Sequence, residues 1–210
     1  MKVIKLGKRK KILVPMRTET HPFNASVIAI QDKKYYVVDP NRSKLGAALL
    51  RGLAHLPKPD GVTLYLGASA GYTVSFLAQE LPLIYAVEYA PSMCRELVFV
   101  AEQLGSIAPI LGDADHPEEY PKGLKKADYI FQDVSQKAQI RMMARNLKTC
   151  GTDDAIGVIA LKTLSIDAIK KPQETYEKSL LQVKEHGLQV LQAFSIDDYH
   201  KGHYIIVVKK

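Results

Sequence analysis

Two rhythms of apolar positions alternate along most of this chain. Short aliphatic or aromatic runs, "VTLYL" (62–66), "LIYAVE" (83–88), "APILGD" (108–113), "ADYIFQDV" (127–134) and "AIGVIALK" (155–162), read as buried strands. Between and after them the spacing predicts helices over 73–81, 91–104, 136–149 and 173–186. Alternation of this kind argues a parallel sheet covered by helices on both faces. Residues 1–40 differ, because "KKILVPM", "ASVIAI" and "KYYVVD" form a small β-rich region without helices. From Asn41 the texture changes: "NRSKLGAALLRGLAHL" reads as a capped helix, stopped by the proline-rich turn "PKPDG". The expected organisation is therefore a small N-terminal region, 1–40, and an α/β domain, 41–210. The tail, "LQVLQAFSID" and "HYIIVVKK", reads as an antiparallel hairpin that closes the sheet.

In open α/β sheets ligands sit beyond the carboxyl ends of the parallel strands. The polar residues expected on that rim are Gly67 after the first strand, Glu88 ending the second, Asp113 the third, Asp133 the fourth and Lys162 the fifth. An antiparallel last strand brings its first residue, His203, back to the same rim. Charged groups thus converge on one edge.

The turn "GASAG", Gly67 to Gly71, joins a strand to a helix as phosphate-binding turns do, yet it has neither the Lys-Ser/Thr of a P-loop nor the full dinucleotide fingerprint. Glu88 stands about 20 residues beyond it, the spacing at which a carboxylate accepts from both hydroxyls of a ribose in nucleotide-binding βαβ units. A solvated strand-end acid is the competing account. Asp113 in "LGDADHP" suits an adenine amine, or else an Asx turn leading into "HPEEY". Lys162, closing an apolar strand, is a candidate proton acceptor or electrostatic stabiliser; alternatively Asp133 holds it in a structural ion pair. "HKGH" sets His200 and His203 in an HxxH pattern without a third ligand, so no metal is expected. The run "GKRKK" (7–11) suits phosphate contacts or a solvated basic face.

Composition narrows the classes. With 210 residues, 47% of them hydrophobic and 24% charged, the chain suits one globular domain with a small appendage. Its longest apolar runs are far short of a membrane span, and its basic start lacks an apolar signal core, so a cytoplasmic protein is expected. Two cysteines without a CxxC pairing fit a reducing compartment. A net charge of +7 favours a polyanionic partner such as nucleic acid.

Read together, "NRSKLGAALL", "LYLGASAGYTVS", "YAVEYAPS", "ILGDADHPEEY", "FQDVSQ", "LKTLSID" and the "YHKGH" tail resemble fibrillarin in its short archaeal form, in order, over residues 38–210. The resemblance implies a class I methyltransferase fold, Rossmann-like, binding S-adenosylmethionine. It implies 2′-O-methylation of ribose in rRNA and tRNA, with box C/D guide RNA, a Nop-type scaffold protein and a kink-turn-binding ribosomal-type protein as partners. By resemblance, Gly67, Ala68, Gly71 and Thr73 approach the methionine part of the cofactor. Glu88 takes the ribose hydroxyls, Asp113 the adenine side, and Asp133 and Gln136 the methionyl end; Tyr89 and Ala114 are further cofactor-binding positions. The family's catalytic quartet falls on Lys44, Asp133, Lys162 and His203. In that assignment Lys162, positioned by Asp133, steers or accepts the hydroxyl proton, while Lys44 and His203 orient the nucleotide.

Three residues depart from the family pattern. Gly202 replaces the acid of a Lys-Asp-His tail, Tyr72 replaces a small residue after the glycine turn, and Phe76 stands where histidine is frequent. Two other accounts remain at this point. A dehydrogenase-like nucleotide enzyme would need a phosphate-approaching glycine fingerprint. A non-catalytic RNA-binding subunit of the same fold would retain the quartet only by accident.

Overall fold

The structure is a computed structural model that describes residues 1–6 and 9–210, the side chains of Leu6 and Arg9 excepted. The first four strands, β1 (Lys2–Leu6), β2 (Arg9–Pro15), β3 (Val27–Ile30) and β4 (Lys33–Val38), form an antiparallel sheet in the order β1-β2-β4-β3. The first of these was not expected. "KVIKL" sets two lysines among aliphatic residues without a two-residue period, and its extended form is set by pairing with β2, from Lys2 opposite Leu13 to Leu6 opposite Arg9. Of the basic run 7–11, Gly7, Lys8 and the Arg9 side chain lie outside the described residues.

The remaining strands are β5 (Val62–Leu66), β6 (Leu83–Glu88), β7 (Ile107–Leu111), β8 (Ala127–Gln132), β9 (Gly151–Lys162), β10 (Gln189–Ser195) and β11 (His203–Lys209). They form one sheet ordered β10-β11-β9-β8-β5-β6-β7, parallel from β9 to β7, with β11 antiparallel to both of its neighbours. The order reverses at β5, which lies between β6 and β8. That reversal opens the crevice where such sheets bind ligands.

Helices α1 (Lys44–Leu50), α2 (Tyr72–Leu77) and α3 (Pro91–Leu104) cover one face. Leu45, Val74, Leu97 and Val100 pack there on Tyr65, Phe131, Val158 and Val207. The other face carries α4 (Gln139–Cys150) and α6 (Pro172–Glu185); Ile140, Met143, Leu147 and Val183 meet Leu64, Leu66, Ile130 and Ile159. A short helix, α5 (Thr163–Ile166), follows β9 directly. Successive residues of β5 thus feed opposite cores, as the two-residue period of a strand requires.

Several elements are shorter than their apolar patterns. The first helix begins at Lys44, not Asn41, because Ser43 is its cap: the Ser43 hydroxyl accepts from the Gly46 amide at 3.0 Å. It stops by Gly52, whose φ is +95°, before the prolines. The fourth helix starts at Gln139, not Gln136, because Gln139 is recruited into the sheet edge. Its side-chain oxygen accepts from the Lys162 amide at 3.0 Å, while its amide group donates to the Gln136 and Lys162 carbonyls at 2.9 and 3.1 Å. Residues 133–138 are thereby held as a loop at the rim.

The N-terminal sheet is fastened to α2 by a cluster built on His21. This ring lies 4.2 Å from Phe76 and 4.8 Å from Tyr36, centre to centre. Nδ1 accepts from the Phe23 amide at 3.2 Å. The Ser75 hydroxyl spends its proton on the Tyr72 carbonyl, so it accepts from Nε2–H at 3.3 Å. Both ring nitrogens are thus satisfied in the neutral form, and burial lowers the pKa to about 4. The unfolded chain, with an ordinary histidine near 6.5, takes up the proton first as pH falls. The stabilisation is therefore whole above pH 6.5 and is lost between pH 6.5 and 4, by about 3 kcal/mol. Urea unfolding at pH 7 and pH 4 should show this loss in the parent and a flatter response in His21→Gln; equal slopes would count against it.

Candidate active site and cofactor cleft

The rim at the sheet reversal is built from the glycine turn outward. The Gly67 and Ala68 amides both donate to the Val87 carbonyl, at 2.9 and 3.0 Å, and the Asp133 amide donates to Leu66 at 2.8 Å. These bonds bring the ends of β5, β6 and β8 together. Gly67 has φ +80°, and a Cβ there would stand 2.3 Å from the Asp133 carbonyl oxygen. No other residue fits that crossing. Glu88 locks the same turn from the other side. Its carboxylate accepts from the Ser69 amide at 2.7 Å and the Ala90 amide at 2.8 Å, which fixes its orientation.

A cleft of about 270 Å³ opens over this turn. Gly67, Glu88, Tyr89, Asp113, Ala114, Asp133 and Gln136 line it, as expected from the sequence. Ser69, Val87, Gly112, Val134 and Ser135 line it as well. Ser69 and Ser135 sit inside "GASAG" and "FQDVSQ", so their position in those motifs was the available signal; small side chains carry little chemistry of their own to single them out. Ala68, Gly71 and Thr73 do not line the cleft. Ala68 and Thr73 are turned into the body of the protein, 6% and 7% exposed, and the Thr73 hydroxyl donates to the Ser43 hydroxyl at 3.1 Å. Gly71 caps α2 with φ +95°. These three shape the turn from behind.

The lining contains three carboxylates, Glu88, Asp113 and Asp133, and neither lysine nor arginine. A phosphate would meet only like charge there, whereas a diol with a cationic centre finds acceptors. Asp113 already uses one oxygen on the Asp115 amide at 2.9 Å, an Asx turn, and keeps the other lone pairs.

Asp133 faces two ways. It lines the cleft, and its carboxylate binds the Lys44 ammonium with both oxygens, at 2.9 and 3.0 Å. The expected pairing of Asp133 with Lys162 is therefore replaced by Lys44–Asp133. The reason is the cap at Ser43, which sets Lys44 in the first turn of α1, pointing to the end of β8. Lys162 instead donates to the Ser135 hydroxyl at 3.1 Å. His203 lies opposite Lys162 in the β9–β11 register, so the antiparallel last strand does return it to the rim. Its Nδ1 donates to the Lys201 carbonyl at 2.8 Å, which leaves Nε2 as a buried lone pair without a partner among the described residues. Burial lowers the His203 pKa against the opposing hydrogen bond to the Lys201 carbonyl, while Lys44 and its neighbour His200 lower it further and Asp133 raises it. His200 is spent elsewhere, donating Nε2–H to the Pro40 carbonyl at 2.8 Å.

The departures from the family pattern have local accounts. Gly202 has φ +68°; its amide donates to Asp197 at 2.7 Å and its carbonyl accepts from the Thr163 hydroxyl at 2.7 Å, so the tail turn is held without an acid at that position. Tyr72 points away from the cleft, its ring 5.4 Å from Phe23 and 5.2 Å from Phe76. Phe76 is wholly buried against His21.

Comparison with known proteins places this geometry. A curated relative, the fibrillarin-like rRNA/tRNA 2′-O-methyltransferase of Methanocaldococcus jannaschii, is 37% identical over 188 residues, 88% of this chain and 82% of the relative. Among solved structures, the Methanococcus jannaschii fibrillarin pre-rRNA processing protein superposes with a TM-score of 0.91 at 33% identity, covering 99% of this chain and 96% of that one. Aeropyrum pernix fibrillarin with natively bound S-adenosyl-L-methionine gives 0.86 at 30%, covering 98% and 92%. A fibrillarin/Nop5p complex gives 0.85 at 31%, covering 95% and 94%. The family model described as Fibrillarin matches residues 3–210, and the chain belongs to the fibrillarin family.

Proposed function

We propose that this chain is the S-adenosylmethionine-dependent RNA ribose 2′-O-methyltransferase of a box C/D guide-RNA particle acting on rRNA and tRNA. The observation that carries the reading is the join between two sites: an acidic cleft without a basic side chain abuts a rim where Lys44, Asp133, Lys162 and His203 meet. The same acidity disfavours the dehydrogenase alternative, whose cofactor brings phosphates.

The cleft fits the cofactor, which supplies an electrophilic methyl group on a sulfonium when bound. Glu88 would hold the ribose hydroxyls, Tyr89 would lie beside them, Asp113 and Ala114 would meet the adenine, and Asp133 and Gln136 the methionyl end. Ala68, Gly71 and Thr73 would support the turn indirectly. On the substrate side, the ribose 2′-hydroxyl is a weak acid and must lose its proton as it attacks. As an ammonium Lys162 donates and cannot accept, so its part is to orient that hydroxyl through its oxygen and stabilise the growing negative charge. The free Nε2 lone pair of His203 is the acceptor for the proton, held in the correct tautomer by the Lys201 carbonyl. The Lys44–Asp133 pair fixes the floor between the two sites.

Partner roles follow from what the free chain lacks. A charge of +7 supports weak, sequence-independent contact with RNA phosphates, and site choice belongs to guide RNA. A Nop-type scaffold and a kink-turn-binding protein would place the target ribose over the rim, in the cytoplasm of an archaeal-type cell. The small sheet of residues 1–40 and the catalytic domain of 41–210 are two units in this reading. Reconstitution tests it: purified protein alone should give little site-specific methylation, and addition of guide RNA with both partners should give methylation at the guided ribose. Efficient site-selective methylation of bare target by the protein alone, or none in the full assembly, would overturn it.

A further inference from the structure

The carboxyl end of β9 is held differently on its two sides. Lys162 is its last residue and is still extended, with φ −101° and ψ 93°. Toward β11, the Thr163 amide donates to the Gly202 carbonyl at 3.2 Å, flanking the Lys162–His203 pair. Neighbouring residues of a strand send their amides and carbonyls to opposite sides, so those of Lys162 face β8. Yet β8 ends at Gln132, opposite Ile159, and so stops short of Lys162.

The Gln139 side chain takes the place of the missing strand. Its Oε1 accepts from the Lys162 amide at 3.0 Å and its Nε2 donates to the Lys162 carbonyl at 3.1 Å, the pair of bonds that a neighbouring strand would make. Nε2 also donates to the carbonyl of Gln136, at 2.9 Å, within the loop that lines the acidic cleft. Gln139 is itself fixed. It opens α4, is 1% exposed, and its own carbonyl accepts from the Gln132 side chain at 2.8 Å.

We propose that Gln139 is a positioning residue for methyl transfer, acting through Lys162. The inference rests on the methyltransferase reading, which gives Lys162 its task. With its main chain turned to Gln139, Lys162 forms a non-hydrogen-bonded pair with His203, the closer of the two kinds, with Cα atoms about 4.5 Å apart and side chains on one face. The group that orients the hydroxyl and the group that takes its proton are thereby set side by side. The far end of the lysine is held by the same loop, since the Ser135 hydroxyl accepts from Nζ at 3.1 Å. Gln139 thus ties the backbone of Lys162 to the loop that holds its ammonium.

The test compares the parent with Gln139→Met and Gln139→Asn. Methionine keeps the length and loses the bonds; asparagine keeps the carboxamide and is one methylene short of Lys162. In the reconstituted particle each variant should lose about 10- to 100-fold in single-turnover rate, the scale of a slightly misplaced reacting group. Cofactor affinity, measured by calorimetry, should change far less. On a Lys162→Ala background the same substitutions should cost nothing further, because a residue that acts through another is silent once that other is gone. A residue serving stability alone would add its loss to that of Lys162→Ala. Hydrogen exchange, followed by NMR on the isolated chain, is independent of activity: the Lys162 amide should lose protection in both variants while the Thr163 amide, bonded to Gly202, keeps it. Where Gln139→Met does not fold, Gln139→Asn decides on the same criteria, and failure of both to fold would make the residue structural and overturn the proposal. Parent-like rates, losses fully additive with Lys162→Ala, or an unchanged Lys162 amide would each overturn it too. An inactive parent particle would instead strike at the methyltransferase reading, with the exchange experiment still judging the brace.

Discussion

Lys162→Ala should reduce single-turnover methyl transfer in the reconstituted particle by about 10²- to 10⁴-fold while S-adenosylmethionine still binds within about twofold of the parent. The split follows from position. Lys162 does not line the acidic cleft, and among the described residues its ammonium donates to the Ser135 hydroxyl alone, 3.1 Å away. Asp133→Ala should behave differently, losing both rate and cofactor affinity, because Asp133 lines the cleft and also holds Lys44 at 2.9 Å. A second signature concerns pH. The His203 pKa lies below the ordinary 6.5, chiefly through burial, so the neutral ring that accepts a proton is already the dominant form at neutral pH. The rate should therefore fall on the acid side of pH 6.5 and be flat just above it, and His203→Gln should abolish the acid limb. Lys162→Ala turning over at the parent's rate, or an acid limb centred above pH 6.5, would sink these assignments.

The sheet and its rim were legible because apolar strands and strand-end charges follow directly from burial on both faces. The five parallel strands, the antiparallel return of His203 and the acidic cleft all followed from that pattern. Two things were not legible. The first is pairing: Asp133 faces lysines on both sides in sequence terms, and only the Ser43 cap, which sets where α1 begins, decides that Lys44 takes it. The second is direction. Thr73 stands next to the glycine turn but faces Ser43, and Tyr72 faces Arg42, because a helix start sends neighbouring side chains about 100° apart. Proximity along the chain therefore groups these residues in one turn without saying which of them face the cleft. The strand at Lys2–Leu6 was hidden for another reason, since its lysines look like a solvated run until β2 supplies the pairing.

Glu88→Ala should weaken S-adenosylmethionine binding by about tenfold to a hundredfold, the loss expected when a hydrogen bond to a charged group worth about 1.5–3 kcal/mol disappears. The carboxylate is already oriented by the Ser69 and Ala90 amides at 2.7 and 2.8 Å, so its remaining lone pairs are available to a diol without further ordering. The same bonds hold Ser69 at φ +50°, a conformation that a non-glycine residue adopts only under restraint. Alanine removes both the proposed ribose acceptor and that restraint, whereas Glu88→Gln keeps one acceptor oxygen and the side-chain shape; the glutamine variant should lose less. Asp113→Asn should lose less still, because one Asp113 oxygen is spent on the Asp115 amide and the carboxamide keeps an acceptor for it. Calorimetry gives the affinities, and the thermal shift with added cofactor checks them independently, since stabilisation grows with ligand concentration over Kd. The order Ala at 88 weakest, then Gln at 88, then Asn at 113 is the expected result. Parent-like affinity in Glu88→Ala would mean that the ribose hydroxyls are held elsewhere and that Glu88 serves the turn alone.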